Sequence, residues 1–154
     1  MGWMRVVEVM TAPAVTVPPD MKVADVARTL LDHAVRAVPV VEDGRLLGII
    51  TEMDLLVRDA KLHFPTYLGI LESLLPIGGD RNLEEELRQV LALTARELMT
   101  EDVHVAAPDD DLGDVAHDMV QRHLHAIPVV TQGVLAGMLF PSDVVRLVAR
   151  DVAG

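Results

Sequence analysis

Apolar residues fall in a regular pattern along the first third of the chain. Val23, Val26, Ala27, Leu30, Leu31 and Ala34 recur every three to four residues, the spacing of one helix face. Pro18 and Pro19 precede this run, and Asp20 is the expected cap. "AVPVV" (37–41) then reads as a buried strand, "EDGR" as a turn and "LLGII" (46–50) as a second strand. Together they predict a hairpin closed around Gly44, a residue able to take positive φ. A second helix is expected from Thr51 to about Ala60.

The same order returns later. A shift of 89 positions aligns residues 10–56 with 99–145 without a gap. "VADVARTLL" meets "LGDVAHDMV", and "RAVPVVEDGRLLGIITEMDLL" meets "HAIPVVTQGVLAGMLFPSDVV". Leu112, Val115, Ala116, Met119 and Val120 repeat the helix face, and Pro141 suits the first position of the last helix. Each copy is predicted to be a β-α-β-β-α unit. A three-stranded sheet with helices on one side leaves its other face bare, so two copies gain by burying those faces together. The expected fold is α/β (α+β), with two units packed sheet to sheet as a pseudo-twofold module. Pro39 and Pro128 lie inside strand patterns, and each is expected where a strand begins or leaves its ladder.

The expected division is residues 1–60 for the first repeat, 61–95 for an inserted helical linker and 96–154 for the second repeat. In the linker, Leu68, Leu71, Leu74 and Leu75 precede a break at "PIGGD". Leu83, Leu87, Val90 and Leu91 follow a start at Asp80 or Asn82. Two helices are predicted there, covering an apolar edge of the module or meeting a partner.

Charge and composition narrow the function. Lys and Arg number 13 against 24 Asp and Glu, a net charge of -11 that argues against tracking a nucleic-acid backbone. A single nucleotide needs only local positive potential and stays open. Aromatic residues are 3% of the chain, so the core must be packed from aliphatic side chains and Met, with Met10 and Met99 as core gap-fillers. Cysteine is absent, which removes thiolate metal sites and a Cys nucleophile. No run approaches the ~20 apolar residues of a membrane span, and the N-terminus lacks a signal-peptide pattern. A cytoplasmic protein without membrane contact is expected.

The polar residues of "GIITEMD" (48–54) carry the sharpest question. Thr51 and Asp54 form a capping-box pattern, hydroxyl toward one amide and carboxylate toward another. A helix start of this kind also presents groups that a sugar diol can engage. In the second copy, "GMLFPSD" (137–143), Phe140 replaces the Thr, so Asp143 is expected to act mainly as a first-turn acid. His117, His123 and His125 lack the spacing of a metal site, and "EEE" and "DDD" read as solvated helix starts. Ser73 and Ser142 have no paired base, so no catalytic group is assigned.

These motifs resemble a tandem pair of CBS domains, also called a Bateman module. The resemblance rests on "VMT" and "LMT", the "PVV" strands and G-x-x-[T/S]-x-x-D as "GIITEMD", and it covers residues 7 to 151 apart from the middle helices. It implies a homodimeric disc and a regulatory role, with an adenosine ligand (AMP, ADP, ATP or S-adenosylmethionine) between the copies and occupancy signalled to an unknown protein partner. Thr51 and Asp54 would hold ribose, Val38, Val40, Ile49 and Ile50 would enclose the base, and Arg36 or Arg58 would face phosphates. In copy two, His125 stands where copy one has Arg36, and Asp143 matches Asp54. The alternative is a ligand-free scaffold acting through its linker helices or dimer surface.

Overall fold

The computed structural model describes residues 4–57 and 92–153, so residues 58–91, with Arg58 and most of the expected linker helices, lie outside the described residues. The architecture is α+β. Helix α1 (Val23–Asp32) is followed by β1 (Ala37–Glu42), β2 (Arg45–Thr51) and α2 (Glu52–Val57). After the short α3 (Ala95–Leu98) come α4 (Leu112–Gln121), β3 (Ile127–Thr131), β4 (Val134–Leu139) and α5 (Pro141–Ala153).

Helix α1 buries Val23, Val26 and Leu30, as its periodicity requires. Its N-cap is Lys22 in extended conformation, two residues beyond the expected Asp20, and no side chain bonds its first amides. In α4 the equivalent Asp111 does cap, accepting from Asp114 N–H at 3.1 Å. Both helices end alike. Ala34 and His123 take φ of 52° and 54°. The next amides reach back, Val35 N–H to Leu30 O at 3.0 Å and Leu124 N–H to Met119 O at 2.9 Å. This left-handed terminus reverses the chain and delivers Arg36 and His125 to the strand starts.

Each helix is followed by a two-residue hairpin. Asp43 and Gly44 have φ of 51° and 80°, and Gln132 and Gly133 have 51° and 81°. Positive φ at both central positions is the turn whose twist matches paired strands. The four strands lie in one antiparallel sheet of order β1-β2-β4-β3, in which β2 meets β4 through the pair Arg45 and Val134. Between the copies, Ala37, Ile49 and Met138 are buried together with Ala14, Val103, Ala126, Leu135 and Phe140 around them.

The leading β of each unit is a single parallel bridge, Val17 with Val40 and Ala106 with Val129. Val17 N–H donates to Pro39 O at 3.1 Å, and Val41 N–H to Val17 O at 2.9 Å. Pro39 therefore sits inside β1 with its nitrogen turned toward this short outer edge, away from β2, and no ladder bond to β2 is lost. Pro128 repeats the arrangement beside Ala106.

The two copies exchange their leading segments. Val6, Val9 and Met10 pack into the core of the second copy, where Val6 N–H donates to Asp110 O at 3.0 Å. Ala95, Leu98 and Met99 pack into the core of the first, where Ala95 N–H donates to Met21 O at 2.7 Å. Thr100 then pairs with Ile49, on the part of β2 beyond its single pair with β4, and Thr11 with Met138 on the corresponding part of β4. The crossing passes directly over two glycines. A Cβ on Gly48 would lie 2.7 Å from Thr100 O, and one on Gly137 2.8 Å from Thr11 O.

Candidate functional site

Two clefts open where the copies meet. The first, about 430 Å³, is lined from copy one by Arg36, Ala37, Ile49, Thr51 and Asp54, with Glu52 and Met53 between them. Copy two supplies Thr100, Asp102, Val103, His104 and the stretch His123 to Ala126. Thr51 and Asp54 form the reciprocal cap that the sequence implies. Thr51 N–H donates to Asp54 Oδ2 at 2.8 Å, and Asp54 N–H to Thr51 Oγ1 at 3.3 Å. Both residues remain partly accessible and border the cleft, so the carboxylate keeps acceptor capacity beyond the one amide. Arg36 and Glu52 form an exposed ion pair at 3.9 Å, and His104 lies 3.4 Å from Asp118.

Strand alternation decides which of the expected base-enclosing residues can reach this space. Ala37 and Ile49 face the other copy. Val38, Val40 and Ile50 point to the opposite side, fully buried against α1 and α3 in the first core. They are not among the lining residues of this cleft, and the apolar wall comes instead from Ile49, Ala37, Val103, Leu124 and Ala126. Thr100 closes the "LMT" of copy two, Asp102, Val103 and His104 follow it, and all four enter this cleft because the leading segments cross over. The matching threonines of "VMT" and "LMT" are the sequence signal that could have flagged them.

The second cleft, about 540 Å³, is lined by Thr11, Ala34, Val35, Arg36, His125, Phe140, Pro141, Ser142 and Arg146. Asp143, the match to Asp54, is 2% exposed and does not line it. Its carboxylate accepts from the Phe140 N–H at 2.8 Å, from the Thr11 hydroxyl at 2.9 Å and from Arg146. The cap survives the loss of the Thr, but every donor comes from the protein itself. His125 lines both clefts, as does Arg36.

Comparison with known proteins follows this geometry. The CBS-domain pattern matches residues 6–61 and again 95–150. The chain belongs to the CBS-domain family. It is 32% identical over 154 residues to the uncharacterized protein MJ1426 of Methanocaldococcus jannaschii, covering 93% of this chain and 90% of that one. The CBS domain of a CBS-domain-containing membrane protein from Sphaerobacter thermophilus is 36% identical with a TM-score of 0.70, covering 94% and 87%. CBSX2, solved in complex with AMP, shares the fold at a TM-score of 0.71 and 23% identity, covering 96% and 97%. Among the described residues no helix is long and apolar enough to cross a membrane, and no group of three or more His, Asp or Glu is placed to hold a metal ion.

Proposed function

We propose that this CBS pair is a non-catalytic regulatory module that binds an adenosine-containing ligand in the first cleft and passes occupancy to a partner. The observation that carries this reading is the placement of Thr51 and Asp54. Their capping box lines a partly apolar cleft between the copies, together with Arg36 and His125. A ribose diol can engage the carboxylate and the hydroxyl while the base lies against Ile49 and Val103. The first turn of α2 carries Glu52 and Asp54 and so disfavours an anion, leaving phosphates to Arg36 and His125. Complexes such as that of CBSX2 with AMP support an adenosine ligand as the class.

The competing reading is a ligand-free scaffold, favoured by the second cleft, where Phe140 and the internally bonded Asp143 offer no diol acceptor. Titration calorimetry with AMP, ADP, ATP and S-adenosylmethionine separates the two. Binding that Asp54→Ala weakens by about tenfold or more supports the regulatory reading. No binding by any of the four supports the scaffold.

A further inference from the structure

We propose that His123 and His125 make ligand choice in the first cleft proton-dependent, so that phosphate-bearing ligands bind at mildly acidic pH and leave as pH rises. The proposal rests on the reading of the first cleft given above and adds its regulation.

Of the six histidines in the chain, three line this one cleft: His104, His123 and His125. Imidazole is the side chain whose charge changes between about pH 5 and 8, so the cleft gathers half of the chain's titratable groups of that kind. The repeat shows that the fold itself does not require them. His123 and His125 stand where copy one has Ala34 and Arg36. His123 ends α4 at φ 54°, and Leu124 N–H donates back to Met119 O at 2.9 Å, which carries both residues to the cleft wall. Ala34 takes the same place in copy one at φ 52° with nothing to titrate. Copy two thus supplies a titratable wall, set opposite Thr51 and Asp54 of copy one.

The other charges around the two imidazoles are fixed over this range. In the first cleft they are Arg36, Glu52, Asp54 and Asp102. Toward the second cleft His125 is joined by Arg36 and Arg146. On the α4–α5 side, the groove that both histidines also line has only apolar residues beside them among those described. His104 has a carboxylate of its own, Asp118 at 3.4 Å, whereas His123 and His125 form no ion pair among the described residues.

With neutral imidazoles the cleft sets one guanidinium, engaged with Glu52 at 3.9 Å, among three carboxylates. That surface suits a sugar diol and repels phosphate. Protonation of His123 and His125 adds two cations without a partner, and a phosphate supplies one. A bound phosphate favours the charged imidazole, so binding draws in protons. By linkage, affinity for such a ligand is gained as pH falls and lost as pH rises. A neutral nucleoside gains nothing from the same protons.

Titration calorimetry of the full chain with AMP and with adenosine, at about pH 8 and about pH 5.5, tests this. A phosphate monoester itself titrates near about pH 6, so the quantity read is the ratio of parent affinity to that of the double variant His123→Asn with His125→Gln. The ligand's own titration cancels in that ratio. Asparagine accepts the left-handed backbone at position 123, and both positions are exposed. The ratio for AMP should rise about fivefold or more from the higher to the lower pH, and that for adenosine should change by less than about twofold. Repeating the AMP titration in buffers of different ionisation enthalpy counts protons, and the parent should take up more than the double variant. If the double variant does not fold, His125→Gln alone should show the same direction. An AMP ratio constant with pH, with equal proton uptake, overturns the proposal and leaves the nucleotide reading standing. An adenosine ratio that moves as far as that of AMP overturns it too, because the histidines would then shape the cleft without reading charge. If the parent binds neither at either pH, the proposal falls, and titration with ADP, ATP and S-adenosylmethionine decides the reading beneath it.

Discussion

Thr11 donates its hydroxyl to the buried carboxylate of Asp143 at 2.9 Å, across 132 residues of chain. Thr11 belongs to the segment that leads the first repeat, and Asp143 to the last helix of the second. The bond therefore fastens the exchanged N-terminal segment to the copy on which it packs. Thr11→Val keeps the shape and removes the donor, leaving Asp143 with the Phe140 amide and Arg146. A hydrogen bond to a charged, buried acceptor contributes about 1.5–3 kcal/mol, and loss of stability in that range is expected in urea unfolding. In the Asp143→Asn background the same Thr11 change should cost less. Equal costs in both backgrounds would show that the pair is not coupled.

Gly48 and Gly137 stand beneath the two crossings. Gly48→Ala would place Cβ 2.7 Å from Thr100 O and 2.8 Å from Met99 Sδ. The methionine can swing aside, but the carbonyl is held by the paired bridge between Ile49 and Thr100. Strain of about 1–3 kcal/mol is expected, concentrated at that bridge. Hydrogen exchange should report it as faster opening of the Ile49 and Thr100 amides relative to the rest of β2. Unchanged exchange there would contradict the close approach. Gly137→Ala should do the same to Thr11 and Met138.

Ala34 is the residue at the left-handed end of α1, at φ 52°. An L-residue in that region carries about 1–2 kcal/mol of strain that glycine does not, offset in part by the greater freedom of glycine in the unfolded chain. Ala34→Gly is expected to stabilise the protein by up to about 1 kcal/mol, visible as a higher urea midpoint at unchanged slope. A lower midpoint would mean that the Ala methyl packs usefully at the second cleft, whose wall it forms.

The repeat, the hairpins and their turns are legible in the sequence because each rests on local periodicity and local turn chemistry. "EDGR" and "TQG" carry the glycines that their φ values require, and the 89-residue register places every element of one copy on its counterpart. The exchange of leading segments is not legible. Val6, Met10, Leu98 and Met99 are recognisably apolar, but their pattern is silent on which of two near-identical cores they enter. The candidate site was legible to the same depth. The Thr51 and Asp54 cap follows from spacing alone. The facing of Val38, Val40 and Ile50 away from the cleft depends on which face of β1 and β2 the helices cover. Both faces are buried, so a continuous apolar run gives no clue.

That division between faces yields a paired prediction. Ile50→Ala removes a fully buried side chain from the first core and should cost about 2–5 kcal/mol. Nucleotide affinity of the folded fraction should be unchanged. Ile49→Ala, on the cleft side, should cost less stability and weaken adenosine binding several-fold. Unfolding and calorimetry on the same two proteins check this, and the reverse pattern would put the base on the helix side of the sheet.

Self-association is the last expectation. Leu31 on α1 and Val120 on α4 occupy equivalent repeat positions and are 80% and 70% exposed. On α5, Val145 and Val148 are 64% and 56% exposed. Val120 and Val145 line a groove of about 540 Å³ together with Ala116, Met119, Leu124 and Val144. Leu31 and Val120 give each copy an exposed aliphatic face at the same repeat position. A second copy is expected to cover such a face by closed twofold pairing, the commonest solution for identical chains. Light scattering is expected to return a dimer at micromolar concentration. Val120→Glu combined with Val145→Glu should return a monomer that keeps its fold, since neither residue is buried within the chain. A parent protein that is already monomeric at that concentration would leave the face to a different partner, and a double variant that stays dimeric would move the interface elsewhere.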